Sequence, residues 1–147
     1  MVNHEFCKKF PALRKRRTPS CNVSPPQPSW KIRVERRRAL SVRQPYAELI
    51  MLGKKKTEYR SKPTRIRGQV YIYASMTPGH SDDFEHLKLK CGDLPTGVLV
   101  GTVEVVGSRD GDDCYEWLLA NPKRLNKTLR PEKHPQPVWF YPFSAKR

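Results

Sequence analysis

Several absences narrow the sequence first. None of its four cysteines (Cys7, Cys21, Cys91, Cys114) forms a Cys-x-x-Cys pair, and none stands at finger spacing from a histidine. Neither a zinc finger nor a disulfide framework is therefore expected, and the thiols read as reduced and partly buried. No apolar run approaches the ~20 residues that span a bilayer. The N-terminus lacks the apolar core of a secretory signal, and Glu5 with five prolines in the first 38 residues argues against an amphipathic leader. No glycine-rich phosphate loop, Ser-His-Asp order or metal-ligand cluster is legible, and the histidines (His4, His80, His86, His134) are scattered. The expectation is a soluble, cytoplasmic protein without cofactor or metal. Acidic residues are also few: 14 Asp and Glu stand against 29 Lys and Arg in 147 residues, with a net charge of +15 and a pI near 10.0. Such a balance calls for an anionic partner, with nucleic acid first and a membrane not expected.

The charge divides the chain. Residues 1–38 carry 11 basic and 2 acidic side chains around "SPPQPS", a composition that reads as a disordered basic arm. Residues 39–147 hold 18 and 12, so the expected domain is basic without that arm. Its length suits a single core.

Along this domain "ALSV" reads as a short strand. "QPYAELIMLG" follows as a helix, with Pro45 near its start, Ala47, Leu49, Ile50 and Leu52 on a helical period, and Gly53 as its stop. "KTEYR" (residues 56–60) and "GQVYIYAS" (68–75) alternate as strands. Residues 75–92 supply a turn and a short helix. "TGVLVGTVEVVGSRD" (96–110) is a long strand whose Gly97 and Gly101 suggest a bulge or sharp bend. "CYEWLLANP" (114–122) reads as a third short helix, residues 124–137 as a basic, proline-rich loop, and "PVWFYPF" (137–143) as a last aromatic strand. The sum is an α+β, mostly β chain: a small barrel with two or three short helices.

One stretch poses a chemical question. "GKKKTEYR" (53–60) sets an acid among bases. On an alternating strand Lys56, Glu58 and Arg60 share a face and Thr57 and Tyr59 point away, so Glu58 is expected between two cations. A carboxylate so held can rigidify the strand as an ion pair or accept a hydrogen bond from a base amine, as Glu and Asp accept from cytosine N4. Arg60, Lys62, Arg65 and Arg67 form one basic loop and Lys123, Arg124, Lys127, Arg130 and Lys133 another, both suited to phosphate backbones. Glu104 shares its strand face with apolar neighbours, which puts it beside a partner or at a cleft mouth.

Four segments in order, "ALSVRQPYAELIMLGKKKTEYRS", "GQVYIYAS", "GVLVGTVEVVG" and "ANPKRL…PQPVWFYPF", give the chain a resemblance to the ASCH domain family, the activating-signal-cointegrator homology domains. The family's G-x-K-x-x-E-x-R run is met by Gly53, Lys55, Glu58 and Arg60. The resemblance implies a PUA-like β-barrel at residues 39–147, with an RNA- or nucleotide-binding cleft between the first helix, the motif strand and the central strands; DNA is also a possible ligand. It brings Arg43 and Gln44 of the "RQP" turn to the cleft border, Arg43 as a phosphate or guanine contact, and Tyr46 as a stacking ring. The nucleic-acid-binding set is then Arg43, Gln44, Tyr46, Lys55, Glu58, Arg60, Arg65 and Arg67.

The resemblance also implies an enzymatic alternative: some members hydrolyse N4-acetylcytidine, and one resembles a ribonuclease. In the amidohydrolases a lysine is the base, a threonine three residues on the nucleophile, and a central-strand glutamate the acid. Lys55 and Glu104 match the first and last, but the threonine position is Glu58. A carboxylate in place of a hydroxyl would pass through an anhydride, a different intermediate. A protein-interaction module, its charge serving solubility, is the third reading.

Overall fold

The computed structural model describes residues 36–133 and 137–144. The expectation of a disordered arm falls mainly on residues 1–35, outside the described ones. Six strands and two short helices follow in the order β1 (Ala39–Val42), α1 (Tyr46–Met51), β2 (Thr57–Arg60), β3 (Gly68–Ala74), α2 (Ser81–His86), β4 (Val98–Asp110), β5 (Tyr115–Leu129) and β6 (Trp139–Phe140). They form one sheet in the order β2-β5-β4-β3-β1-β6. β1 and β3 are parallel, which the crossover through α1 and β2 permits; all other pairs are antiparallel.

The sheet curls into a half-barrel. Trp117 of β5 and Trp139 of β6 lie four places apart in the sheet order, yet their rings stack at 5.4 Å. Arg60 of β2 likewise reaches the backbone of β1. The inward faces make the main core, with Leu40, Val42, Ile72, Val103 and Trp117 around Ala47, Ile50 and Met51 of α1. Ala39, Tyr73 and Leu99 form a smaller cluster with Phe140 and Phe143 packed against it.

The β4–β5 hairpin drives the curl. Its register shifts at three points, between Leu99 and Gly101, Thr102 and Glu104, and Val105 and Gly107. Each shift bends a strand and increases its twist. Gly101 is also where α1 and β5 close on β4: an added Cβ would meet Met51 Sδ and lie 2.5 Å from the Lys123 carbonyl oxygen. The bend expected at Gly101 is thus accompanied by a close approach that only glycine allows. Gly53 ends the first helix at φ +72°, its amide bonded to the Ile50 carbonyl at 3.0 Å.

Two expectations are corrected. Residues 115–120, read as helix, are the first half of β5, and residues 124–129, read as loop, are its second half. Trp117 and Leu119 are buried while Leu118 is not, a period of two that pairs with β2 and β4. Cross-strand partners override the local Asn-Pro stop, and Asn121 takes up the bend at φ +50°. The last strand is also shorter than expected, at two residues.

Candidate functional site

A cleft of about 530 Å³ opens where β1 and β3 end, beside the edge strand β2. Arg43, Tyr46, Glu58, Tyr59, Arg60, Ser75 and Met76 are on its wall. The local folding explains the placement. α1 starts directly after the Arg43–Gln44–Pro45 turn, so Tyr46 stands at the rim of the helix it begins. Among the described residues β2 pairs with β5 alone, which leaves its other edge toward the opening.

Glu58 lies at the centre and is 8% exposed. Its Oε1 is 3.0 Å from Arg60 Nη2, and its Oε2 is 3.5 Å from Lys55 Nζ. Each oxygen thus has its own cation and keeps a lone-pair direction unused by either. The expected inward face of Glu58 and Arg60 is found, but the second cation is Lys55 rather than Lys56, which is exposed and precedes the strand. The i, i+3 contact of Lys55 with Glu58 comes from the turn that Gly53 begins.

Lys55 is held three ways. Besides Glu58, its ammonium stands 4.8 Å from the Tyr59 ring centroid and 5.4 Å from that of Tyr46. Burial first, then the neighbouring carboxylates of Asp83 in α2 and Glu58, raise the Tyr46 pKa above 10.0. Tyr59 was expected to point away from the site. It belongs to an exposed edge strand, 56% exposed, and lines the mouth from there. Alternation alone hid it; its place on an edge beside a lysine was the available signal.

Arg60 is a strut as much as a wall. Its Nη2 also donates to the Ser41 carbonyl at 2.7 Å, and its guanidinium carbon lies 5.8 Å from the Trp117 ring. Its buried Nε has no acceptor among the described residues. Arg43 is exposed at the rim. Arg65 and Arg67 are not on the cleft wall; Arg67 Nη1 donates to the Thr64 and Ile66 carbonyls at 2.9 and 2.8 Å and so braces its own loop.

Gln44 is a correction. It is 1% exposed, its Nε2 donates to the Pro95 carbonyl at 2.9 Å, and its Oε1 accepts from the Glu48 amide at 3.1 Å. Both ends of the amide make hydrogen bonds inside the fold, and the side chain is buried rather than at the cleft border. Glu104 also lies elsewhere than expected. It borders a separate pocket of about 390 Å³ with Gln69, Asn121 and Lys123, and accepts from Asn121 Nδ2 at 2.9 Å. Neither Lys55 nor Arg60 is its partner. Among the described residues no group of three or more His, Cys, Asp or Glu side chains could hold a metal, and no helix is long and apolar enough to cross a membrane.

No curated protein matches the sequence. The family model for the ASCH domain matches residues 40–142, from the second residue of β1 to two residues past β6. That span contains every strand but for Ala39 of β1, both helices and the wall of the cleft, and the chain belongs to the ASCH domain family.

Proposed function

We propose that the cleft binds RNA, single-stranded or as a modified nucleotide, and recognises a base without reacting with it. The observation that carries this reading is Glu58, a nearly buried carboxylate fixed by a cation on each oxygen in the wall of an open cleft. Its remaining lone pairs suit an exocyclic amine, as on cytosine, adenine or guanine. Tyr46 and Tyr59 supply ring faces for the base, and stacking of this kind contributes about 1–3 kcal/mol per base. Arg43 stands exposed at the rim for phosphate. Family membership adds weight, since ASCH domains are PUA-like and associated with RNA.

Turnover has less support. Lys55, the residue that matches the hydrolase base, is engaged by Glu58 and two rings, and it borders a pocket of about 210 Å³ with Asn121 and Pro122 rather than the wall of the cleft. The test is one incubation of the full chain with single-stranded RNA and with N4-acetylcytidine, at low and high salt, beside Lys55→Ala. The expected result is RNA retention that weakens with salt and in the variant, with no cleaved RNA and no released acetate. Product that vanishes in Lys55→Ala would make the protein a hydrolase. Neither retention nor product would leave the protein-interaction reading.

A further inference from the structure

A second basic and aromatic group lies at the other end of β6. Arg36 and Arg38 are two residues apart in the chain entering β1 and point to one side of it. Their guanidinium carbons stand 5.0 and 5.4 Å from the ring centroid of Tyr141, which is 45% exposed. Both arginines are exposed, and among the described residues neither has a carboxylate partner. Arg36, Tyr141 and Lys133 border a pocket of about 200 Å³. The acid there, Glu132, takes the Ser144 amide at 3.0 Å and the Ser144 hydroxyl, which ties it to the C-terminal turn.

β6 connects this group to the cleft. Val138 lines the cleft and Tyr141 the second pocket, three residues further on, or about 10 Å at about 3.3 Å per residue. β6 is an edge strand of the sheet, with Trp117 of β5 stacked on its Trp139. At both ends rings alternate with cations: Tyr46 and Tyr59 with Lys55, then Tyr141 with Arg36 and Arg38. Stacking platforms spaced along a cationic track are how proteins hold single-stranded nucleic acid.

We infer that the ligand is a strand rather than a lone nucleotide, and that it runs from the cleft along β6 onto Arg36, Arg38 and Tyr141. This rests on the nucleotide-binding reading of the cleft. One base occupies the cleft, and the backbone beyond it meets the two guanidinium groups that stand over the tyrosine ring. A mononucleotide fills the cleft and gains nothing from the second group.

The test measures anisotropy of labelled single-stranded RNA and DNA, from about one to about twelve nucleotides, on the full chain at about 50 and about 200 mM salt. Affinity is expected to climb as the ligand lengthens past the cleft and then level off. Arg36→Gln with Arg38→Gln keeps the side-chain stems on the ring and removes the charges. That double variant is expected to weaken the longer oligonucleotides several-fold and leave the mononucleotide unchanged. Its log K against log salt should be shallower by about 1.4, at about 0.7 per single-strand phosphate contact. Tyr141→Ala should reproduce the selective loss. Binding of either sugar series supports the inference, and the difference between them tells whether a 2′-hydroxyl is read. Affinity independent of length, a double variant with the parent's affinity and slope, or equal competition by polyglutamate would overturn it. Oligonucleotide binding that needs Arg36 and Arg38 but is indifferent to Glu58→Gln and Lys55→Ala would overturn the cleft reading and leave the surface standing.

Discussion

Arg60→Lys separates two roles that one side chain holds at once. Arg60 Nη2 donates to the Ser41 carbonyl at 2.7 Å and lies 3.0 Å from Glu58, while the guanidinium plane covers Trp117 at 5.8 Å. It thereby links β2 to β1, two strands at opposite sides of the sheet order. A lysine keeps the charge but not the fork, so it holds Glu58 or Ser41 and not both. The loss is one hydrogen bond to a charged group, about 1.5–3 kcal/mol. The Arg60 side chain retains 24% exposure, which places the expected cost in the lower half of that range. At roughly 4 °C per kcal/mol for a chain of this size, Tm falls by about 6–9 °C. Thermal unfolding followed by tryptophan fluorescence reads this directly, because Trp117 and Trp139 stack beneath the strut. A double-mutant cycle with Glu58→Gln should show coupling of about 0.5–3 kcal/mol. Well below Tm, Arg60→Lys should keep most of its RNA affinity. A variant as stable as the parent within about 0.5 kcal/mol, yet unable to bind, would refute the reasoning and make Arg60 a ligand contact.

Three further outcomes follow from particular contacts. Gly101→Ala forces a methyl against Met51 and to 2.5 Å from the Lys123 carbonyl, and should cost about 1–3 kcal/mol in denaturant unfolding; adding Met51→Ala should not restore it, because the backbone oxygen stays. Gln44→Leu leaves the Pro95 carbonyl and the Glu48 amide without partners, at about 1–3 kcal/mol each, and should lower the denaturation midpoint while the folded protein binds RNA as before. Burial raises the Tyr73 pKa above 10.0, as it does that of Tyr46. The unfolded chain ionises these tyrosines at 10.0 and the folded chain only at higher pH, so their contribution to stability is intact below pH 10 and is lost as pH rises through the folded values. Tyr73→Phe should flatten the alkaline decline in Tm, and tyrosinate absorbance should show fewer groups ionising near pH 10 in the folded protein than in the unfolded one.

Much of the fold was legible because its local signals agree with its tertiary partners. The alternation in "GQVYIYA", the helical period ending at Gly53, and the glycine within the long β segment each describe an element that the structure contains. Residues 115–129 were not legible because the information lies across the sheet. "YEWLLANPK" has helix formers and a stop, but Trp117 and Leu119 find their burial against β2 and β4. The acid at the site was legible from its spacing, since Glu58 and Arg60 must share a face of any strand. Its second cation was not, because a turn brings Lys55 back onto the carboxylate and alternation says nothing of turns. Gln44 was misjudged by its neighbours: a polar residue in a turn next to an arginine reads as surface, and only the Pro95 carbonyl, 51 positions away, shows it to be an internal clamp. Tyr141 meets Arg36 and Arg38 through the pairing of β1 with β6, which joins residues about a hundred positions apart.

The central claim is that Glu58 accepts a base amine, and base selectivity tests it most directly. Affinities of the four nucleoside monophosphates would be measured on the full chain and on Glu58→Gln by calorimetry. The account predicts that cytidine monophosphate binds more tightly than uridine monophosphate in the parent, by about 1–3 kcal/mol for a well-formed contact to a base edge. It predicts that the preference collapses in Glu58→Gln, whose amide can donate to the uracil carbonyl as well as accept. Equal binding of both in the parent, or a preference that survives the substitution, would contradict it.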